Sequence, residues 1–177
     1  VVISRERLPG SHNALNLVAA MALLTSLFPS ESFDFNKLQP PYGRGELVMF
    51  GKKAFTLQLV KNPGGFMVAM NVHPEQPALI VINDAIADGR DVSWLWDIDA
   101  SSLATRPAIY VAGTRAYDIA NRLHYEDIKA KSVITEVDHA VRNFVKSNNQ
   151  GTIFLTYTAM LEARKVLHKL AKDRRFA

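Results

Sequence analysis

The stretch ALIVINDAIADGRDVSWLWDID, residues 78–99, decides the fold. It opens with a continuous apolar run, and such a run is typical of a strand that is buried on both faces of a parallel sheet. Five aspartates and both tryptophans of the chain then follow within the same stretch, although the formal net charge of the protein is +4. The stretch therefore predicts a buried strand that ends in an acidic and aromatic loop.

The same alternation of apolar runs and helical patterns continues on both sides. ELVMF and AFTLQLV flank Gly51 like the arms of a hairpin. AIYVAG (108–113) predicts a second buried strand, and SVITEV (132–137) and TIFLTY (152–157) predict two more strands; each of the three leads into a helical pattern. We expect Thr114 and Asp138 to cap the helices that follow the first two runs. Buried strands separated by amphipathic helices predict the α/β class, with a mostly parallel sheet and helices on both faces.

The start of the chain has a different character. A helix is predicted from about residue 12 to residue 28, with Ser11 as its cap and Pro29 at its end. The stretch PSESFDFNKLQPPYGRGE (29–46) is rich in helix breakers, so we place a domain boundary inside it, between residues 1–42 and 43–177. Because VVISRERLPG begins mid-pattern and without Met, we expect the chain to be part of a longer protein.

Composition narrows the function classes. With 48% hydrophobic and 21% charged residues, the chain is typical of a globular domain. The pI near 9.4 favours anionic partners, but KLAKDRRFA (169–177) supplies much of the excess charge, so we expect a solvated helix end and no nucleic-acid binding. Without cysteine, disulfides, cysteine-ligated zinc and cysteine nucleophiles are excluded within this chain. The longest apolar stretch, residues 14–28, is too short to span a bilayer, and we expect no membrane insertion.

Ligand motifs are mostly missing. GELVMFGKK resembles a phosphate loop, but five residues separate its glycines where the motif has four, and no Ser or Thr follows the lysine. The acidic loop lacks the spacing of a calcium loop, and the five histidines form no ligand pattern, so we predict no metal site. Three loops follow strands, where α/β proteins bind ligands: KNPGGF, NDAIADGRD and AGTRAYD. The aspartates could equally cap turns, and the tryptophans could equally fill a core.

Several stretches together resemble one family. LPGSHNALNLVAA, YGRGE, LVKNPGGF, INDAIADGRDVSWLWDID, AGTRAYDIANRLHYE and YTAMLEARKVL occur in the order expected of the MurT family, the Mur-ligase-like subunit of lipid II isoglutaminyl synthase. The resemblance covers essentially the whole chain. DGRDVSWLWD and KNPGGF are its specific parts, whereas HNALNLVAA is shared with Mur ligases generally.

The resemblance implies a Rossmann-like C-terminal domain of the Mur ligase type, preceded by the last helix and linker of an ATP-binding central domain. It implies ATP-dependent amidation of the D-glutamate α-carboxyl of lipid II to D-isoglutamine, with ammonia from a GatD-type glutaminase partner. ATP and Mg²⁺ would be bound mainly by the central domain, and the zinc of the family would lie outside this chain. The chain alone would be inactive, and the complex would work in the cytoplasm, at the inner face of the bacterial membrane.

The resemblance also implies roles for individual residues. Asn13 and Asn16 would lie by the adenine, where an amide can both donate and accept hydrogen bonds. Arg44 would sit at the hinge between domains and reach a phosphate of nucleotide or substrate. Lys61 and Asn62 would belong to the nucleotide or acyl-phosphate region, unless Asn-Pro-Gly-Gly is only a tight turn.

For the acidic loop, the resemblance implies a role at the glutaminase. A glutaminase uses a cysteine nucleophile, a histidine base and a carboxylate that orients the histidine, and in this family the carboxylate is thought to come from the ligase subunit. We predict Asp91 for that role, with Asp88 as the second candidate and Asp84 as a turn former. Trp94 and Trp96 would anchor the partner.

Two other interpretations stay open. The chain could belong to another Mur ligase or to a folylpolyglutamate-synthase-like enzyme, which would need an amino acid pocket near residues 58–66 and no glutaminase. It could also be a non-catalytic docking module, in which Asp91 is dispensable for glutamine hydrolysis while Trp94 or Trp96 is needed for assembly.

Overall fold

The computed structural model describes residues 11–34 and 42–172. They contain a six-stranded sheet in the order β1-β2-β6-β3-β4-β5, in which β1 and β2 are antiparallel and all other neighbours are parallel. The strands are β1 Arg44–Phe50, β2 Lys53–Leu59, β3 Ala78–Val81, β4 Ile109–Ala112, β5 Ser132–Ile134 and β6 Gln150–Leu155. The predicted α/β class with a mostly parallel sheet is confirmed.

Helices and short turns connect the strands. The helices are α1 Ser11–Leu27, α2 Pro63–Met70, α3 Ala116–His124, α4 Val137–Ser147 and α5 Tyr157–Lys172. Between β3 and β4 the chain forms three short 3₁₀ turns in place of a helix: Ile86–Asp88, Ser93–Asp97 and Ser101–Thr105. The acidic loop is therefore a series of tight turns, in which Asp88 ends the first turn and Asp91 lies between the first and the second.

Both faces of the sheet are covered. Because side chains alternate along a strand, Leu79 and Val81 of β3 face α4 and α5, whereas Ile80 and Ile82 face α2, α3 and the 3₁₀ turns. All four side chains are buried. This two-sided burial explains why β3 has no polar residue, as the apolar run predicted.

The hairpin prediction is confirmed, since β1 and β2 pair across Gly51 and Lys52, with Gly51 at a φ of 58°. The two predicted helix caps are wrong. Residue 115 occupies the N-cap position of α3, and residue 136 occupies that of α4. Thr114 bonds Asp84 on the neighbouring loop instead, and Asp138 lies inside α4, where it pairs with Arg142. At Thr114 a tertiary partner competes with local capping, whereas Asp138 forms an i,i+4 ion pair within its own helix.

The helix predicted for residues 12–28 is confirmed as α1. Several of its apolar side chains are exposed, among them Leu15, Val18 and Leu27. The predicted domain boundary near residue 42 adjoins residues 35–41, which lie outside the described residues, so it stays a prediction. Within residues 11–34 and 42–172, no helix is both long enough and apolar enough to cross a membrane.

Candidate functional site

The carboxyl edge of the sheet gathers the candidate residues. In a parallel sheet, all strands end at the same edge, and ligands bind beyond it. Here β2 leads to Lys61, β3 to the acidic loop, β4 to Thr114 and β6 to Thr158. Arg44 joins them because β1 runs antiparallel and pairs Arg44 with Gln58, near the end of β2.

Hydrogen bonds link the ends of three strands. The buried Asn83 accepts from the backbone N–H of Thr114 at 3.1 Å and donates to Oγ1 of Thr158 at 3.1 Å. Asp84 accepts from the Thr114 hydroxyl at 2.8 Å and from Nη1 of Arg115 at 3.3 Å. Asp84 thus joins two loops, which is a broader role than the turn former predicted from sequence.

Arg115 bridges two carboxylates. Its Nε and Nη2 atoms donate to the two oxygens of Asp118, each at 2.8 Å, while Nη1 reaches Asp84. The Arg115 hydrogen bond holds the pKa of Asp118 below its usual value. The pKa of Asp84 is also lowered, first by the Thr114 hydroxyl and then by Arg115. Both carboxylates are therefore ionised at neutral pH.

Asp88 is buried and fully engaged with its own chain. Its Oδ1 accepts from the backbone N–H of Thr158 at 2.7 Å. Its Oδ2 accepts from the Thr158 hydroxyl at 2.5 Å and from the backbone N–H of Ala85 at 3.1 Å. These bonds fasten the 3₁₀ turn Ile86–Asp88 to the first turn of α5.

Asp91, three residues further on, is exposed. Its Oδ1 accepts from the backbone N–H of Ser93 at 2.8 Å. That bond, together with the Ser93 side chain, lowers the pKa of Asp91 below its usual value. Asp91 is therefore an ionised carboxylate, fixed through one oxygen and open to solvent. Gly89, at a φ of 81°, turns the chain between the two aspartates.

A shallow concavity of about 300 Å³ surrounds Asp91. It is lined by Arg90, Asp91, Val92, Ser93, Trp96, Arg115 and Asp118. The structure thus brings Asp91 and Trp96 together, and it adds Arg115 and Asp118 to them.

The two tryptophans have different environments. Trp96 is 49% exposed, and its ring lies 5.3 Å from that of Tyr125 in an edge-to-face pair. The guanidinium carbon of the buried Arg122 lies 5.9 Å from the Trp96 ring centre. Trp94 is partly buried and packs edge-to-face against Phe66, at 6.3 Å between ring centres. Trp96 is thus half-exposed, whereas Trp94 packs against the core, and the predicted role of both as anchors of a partner stays a prediction.

Arg44 and Lys61 are exposed at the carboxyl edge of the outer strands. Asn62 is exposed too, and its Oδ1 accepts from the backbone N–H of Gly65 at 2.8 Å, so it caps α2. The Asn-Pro-Gly-Gly stretch is thus a helix start with Pro63 in its first turn, where proline is favoured. Nothing in this local role tests the predicted contact of Asn62 with a ligand.

The segment before Arg44 is held against α5. Glu46 accepts from the backbone N–H of Gly43 at 2.9 Å and from Nε of Arg164 at 3.0 Å. Gly43 has a φ of 69°, and a Cβ at this position would meet the sulfur of Met160 at 2.2 Å. Glycine is needed here both for its backbone conformation and for space. These contacts hold the start of β1, where Arg44 lies, against α5.

Asn13 and Asn16 lie one turn apart on α1, with Asn13 partly buried and Asn16 exposed. The spacing of three residues places both side chains on one face of the helix. They are thus on a different element from Lys61 and Arg44. Their predicted place beside an adenine stays a prediction.

The described residues include cations that could contact a nucleotide, but they form no loop that encloses its phosphates. Arg44 and Lys61 can contact phosphates, but GELVMFGKK forms the β1–β2 hairpin, whose turn lies at the opposite edge of the sheet. Lys53, the last residue of that stretch, donates to the carbonyls of Val145 at 2.6 Å and Asn148 at 3.1 Å. No group of three or more His, Asp or Glu side chains suited to a metal ion occurs in the described part of the chain.

Sequence reasoning missed Asn83, Thr158, Arg115 and Asp118. Each lies within three residues of the end of a strand or of the start of the next helix. Their position at the carboxyl edge was the signal that could have drawn attention to them. Their partners, however, are up to 79 residues away in sequence, and only the fold brings them together.

The fold is that of the C-terminal domain of Mur ligases. Two solved structures superimpose on most of the chain: the UDP-N-acetylmuramate–alanine ligase MurC of Thermotoga maritima (TM-score 0.65, 14% identity, 91% of this chain and 38% of that one) and the MurF ligase of the same organism in complex with ADP (TM-score 0.61, 15% identity, 90% and 39%). At these identities the likeness shows the fold alone.

Sequence comparison narrows the class to one family. The family model for the MurT ligase C-terminal region matches residues 59–160. The chain is also 33% identical over 171 residues to the MurT subunit of the glutamine-hydrolysing lipid II isoglutaminyl synthase of Streptococcus pneumoniae, which covers 89% of this chain and 38% of the relative. The chain belongs to the MurT family, and it spans less than two fifths of the length of this relative.

Proposed function

We propose that this chain is the C-terminal domain of a ligase subunit that amidates the D-glutamate α-carboxyl of lipid II to D-isoglutamine, using ATP and ammonia from a GatD-type glutaminase. Membership of the MurT family and the name of the pneumococcal relative support the proposal. The observation that carries it is Asp91, an exposed, ionised carboxylate beside a half-exposed tryptophan. The protein would act in peptidoglycan synthesis, on the inner face of the membrane.

Asp91 has the features that a triad carboxylate supplied to a partner needs. In a glutaminase, the histidine takes the proton of the cysteine thiol, and a carboxylate that accepts from the other ring nitrogen fixes the imidazole tautomer. Ser93 holds Oδ1 of Asp91, so the carboxylate does not rotate freely. Its exposure lets the other oxygen accept a hydrogen bond from the histidine of the partner. Its lowered pKa keeps it ionised for that task.

The surroundings of Asp91 support docking as well as chemistry. Trp96 lines the concavity and pairs edge-to-face with the exposed Tyr125, and large aromatic side chains are the usual anchors of protein interfaces. Arg115 is already paired with Asp118 and Asp84, so it does not neutralise Asp91. We infer that the glutaminase covers the concavity, with its histidine over Asp91.

Arg44 and Lys61 serve the ligase half of the reaction in this proposal. ATP supplies the phosphoryl group that activates the α-carboxyl, and ammonia then displaces phosphate to form the amide. The two exposed cations lie at one edge of the sheet and can offset the charge of the phosphates. Asn13 and Asn16 would contact the adenine, and Mg²⁺ would be held mainly by the central domain.

The first test is Asp91→Asn in the full ligase subunit, assembled with its glutaminase. We expect glutamine hydrolysis to fall by roughly 10² to 10⁴-fold, because an amide at this place selects the wrong imidazole tautomer. Gel filtration should show an intact complex. Asp99→Asn is the matched control, since Asp99 accepts from the backbone N–H of Ser101 at 3.0 Å in the same local motif but does not line the concavity.

The outcome also separates the alternatives. If hydrolysis survives Asp91→Asn while Trp96→Ala abolishes assembly, the chain is a docking module. If the subunit binds no glutaminase and joins an amino acid to its substrate directly, it is an amino acid ligase of the Mur or folylpolyglutamate synthase type.

A second test addresses the ligase half. Arg44→Met and Lys61→Met should slow amidation with ammonia supplied directly and should raise the KM for ATP. Glutamine hydrolysis by the complex should continue, because Arg44 lies on β1 and Lys61 follows β2, and β6 separates both strands from β3 and its acidic loop. An unchanged KM for ATP in both variants would remove these residues from the nucleotide site.

A further inference from the structure

We propose that Thr158 is a positioning residue for the glutaminase reaction: through the buried carboxylate of Asp88, it holds the loop that presents Asp91 to the partner. This inference rests on the proposed function of Asp91. It concerns a residue on α5, 67 positions along the chain from Asp91, which touches neither the glutaminase concavity nor Asp91 itself.

Two hydrogen bonds join Thr158 to Asp88, and together they are called the clamp. Thr158 donates twice to one carboxylate, through its backbone N–H at 2.7 Å and its hydroxyl at 2.5 Å. Asp88 is only 9% exposed and Thr158 is partly buried, so both bonds are partly shielded from water. The backbone N–H of Ala85 completes the set and closes the 3₁₀ turn on the same carboxylate. A hydrogen bond to a buried charged group contributes more than an exposed neutral one.

The second step is the orientation of the Thr158 hydroxyl. Its proton goes to Asp88, and its oxygen accepts from Nδ2 of Asn83 at 3.1 Å. Asn83 is buried at the end of β3, where its Oδ1 accepts from the backbone N–H of Thr114. The hydroxyl is thus used as donor and acceptor at once, between the central strand and the loop. Valine has the shape of threonine but can do neither, whereas serine can do both.

The third step is the short connection from the clamp to Asp91. Gly89 and Arg90 alone separate Asp88 from Asp91, and Gly89 at a φ of 81° fixes the direction of the turn. Displacement of Asp88 therefore moves Asp91 with little room to compensate. An error of about 1 Å in the position of a catalytic group can cost about 10²-fold in rate. Thr158 thereby controls the rate without contact with any reacting group.

The experiment compares Thr158→Val, Thr158→Ser and wild type in the full ligase subunit assembled with its glutaminase. We expect Thr158→Val to lower kcat for glutamine hydrolysis by roughly 10 to 10²-fold, with the KM for glutamine unchanged, because glutamine binds in the partner. Thr158→Ser should stay within about threefold of wild type. Thr105→Val is the matched control, because the Thr105 hydroxyl bonds only the carbonyl of Ser102 at the opposite edge of the sheet.

A double-mutant cycle on kcat for glutamine hydrolysis shows whether Thr158 acts through Asp91. In the Asp91→Asn background, Thr158→Val should cause almost no further loss, because the group that it positions no longer works. Full additivity of the two losses would overturn the positioning role, and so would normal kcat in Thr158→Val alone. If Asp91→Asn itself hydrolyses glutamine normally, the proposed function fails, whatever Thr158→Val does.

A second variant covers the case in which Thr158→Val does not assemble. Asp88→Asn retains the size of the side chain, but its amide can accept through only one oxygen and sets two N–H groups against donors of Thr158 or Ala85. It should reproduce the loss of kcat at unchanged KM. Normal kcat in an assembled Asp88→Asn complex would overturn the inference.

Discussion

The two edges of the sheet use their charged side chains in opposite ways. At the amino edge, the buried guanidinium of Arg106 donates to four backbone carbonyls, at 2.7–3.0 Å: those of Met70, Val72, His73 and Gln76. Lys53 similarly donates to two carbonyls near the end of α4. These two cations satisfy the chain itself, and little of their capacity is left for a ligand.

At the carboxyl edge, internal bonds occupy an inner layer and leave an outer layer exposed. Asn83, Asp88 and Thr158 form the inner layer. Asp91 and Lys61 stay open to solvent around it. A charged residue alone therefore does not identify a functional site. A charged side chain that stays exposed beside a buried hydrogen-bonded layer is the better indicator. Substitutions at the two edges can test whether they differ in this way.

The largest effect on stability is expected at the amino edge, for Arg106→Met. Burial lowers the pKa of Arg106 to about 10, so the side chain is still a cation at neutral pH. Methionine would remove the donor to four carbonyls at once, and we expect a loss of about 3–5 kcal/mol in the free energy of unfolding. Urea unfolding of the chain measures it.

Arg142→Met is the control for Arg106→Met. Arg142 makes an exposed ion pair with Asp138 on α4, so its replacement should cost less than about 1 kcal/mol. Equal losses for the two variants would show that Arg106 is no more structural than a surface cation, and the contrast between the edges would disappear.

The next effect is expected inside the acidic loop, for Gly89→Ala. No atom lies within 4 Å of a Cβ placed on Gly89, so the cost comes only from its φ of 81°. We expect a loss of about 1–2 kcal/mol in the free energy of unfolding, together with slower glutamine hydrolysis, because the loop would relax and move Asp91. Gly64→Ala is the matched control, since a Cβ on Gly64 would meet only Oδ1 of Asn62, at 3.9 Å, and Gly64 lies in α2, where alanine is favoured. A Gly89→Ala variant as stable as Gly64→Ala would contradict the tight coupling of Asp88 to Asp91.

The sheet was readable from sequence because its signal is local. The run at residues 78–82 is apolar throughout, since both of its faces are covered, and β4 follows the same rule, whereas the edge strands β1 and β5 are only partly buried. Helix caps were not readable in the same way. Thr114 and Asp138 are good capping residues, but Thr114 bonds Asp84 on another loop, and Asp138 lies inside α4, where it pairs with Arg142 four residues further on. Local propensity is a weak guide wherever a tertiary hydrogen bond competes with it.

The place of the candidate site could be predicted, but the division of its roles could not. Strand ends and the family resemblance indicated the acidic loop. Asp88 and Asp91 look alike in DGRD, and only the contact with Thr158, 70 residues further along the chain, separates a buried support from an exposed carboxylate. Arg115 and Asp118 escaped attention for the same reason, because the concavity that they share with Asp91 exists only in the fold.

The smallest effect is expected for Asp118→Asn, which tests whether the pair of Asp118 with Arg115 belongs to the structural inner layer. The pKa of Asp118 is lowered from 3.8 by Arg115, so ionisation of Asp118 stabilises the fold above about pH 3.8, and this contribution is lost as the pH falls through the lower value of the folded state. Both partners are about one third exposed, so the difference from wild type at pH 7 should stay below about 1 kcal/mol.

Urea unfolding at pH 7 and at pH 3 or below measures that difference for Asp118→Asn. It should shrink towards zero in acid, where wild type also carries a neutral group, and it should shrink at pH 7 in high salt. A difference that is the same at every pH would mean that packing of the side chain, and not its charge, stabilises α3. Arg115 would then be able to pair with a carboxylate of the partner. The concavity would be a site for an anion and not a site for a histidine.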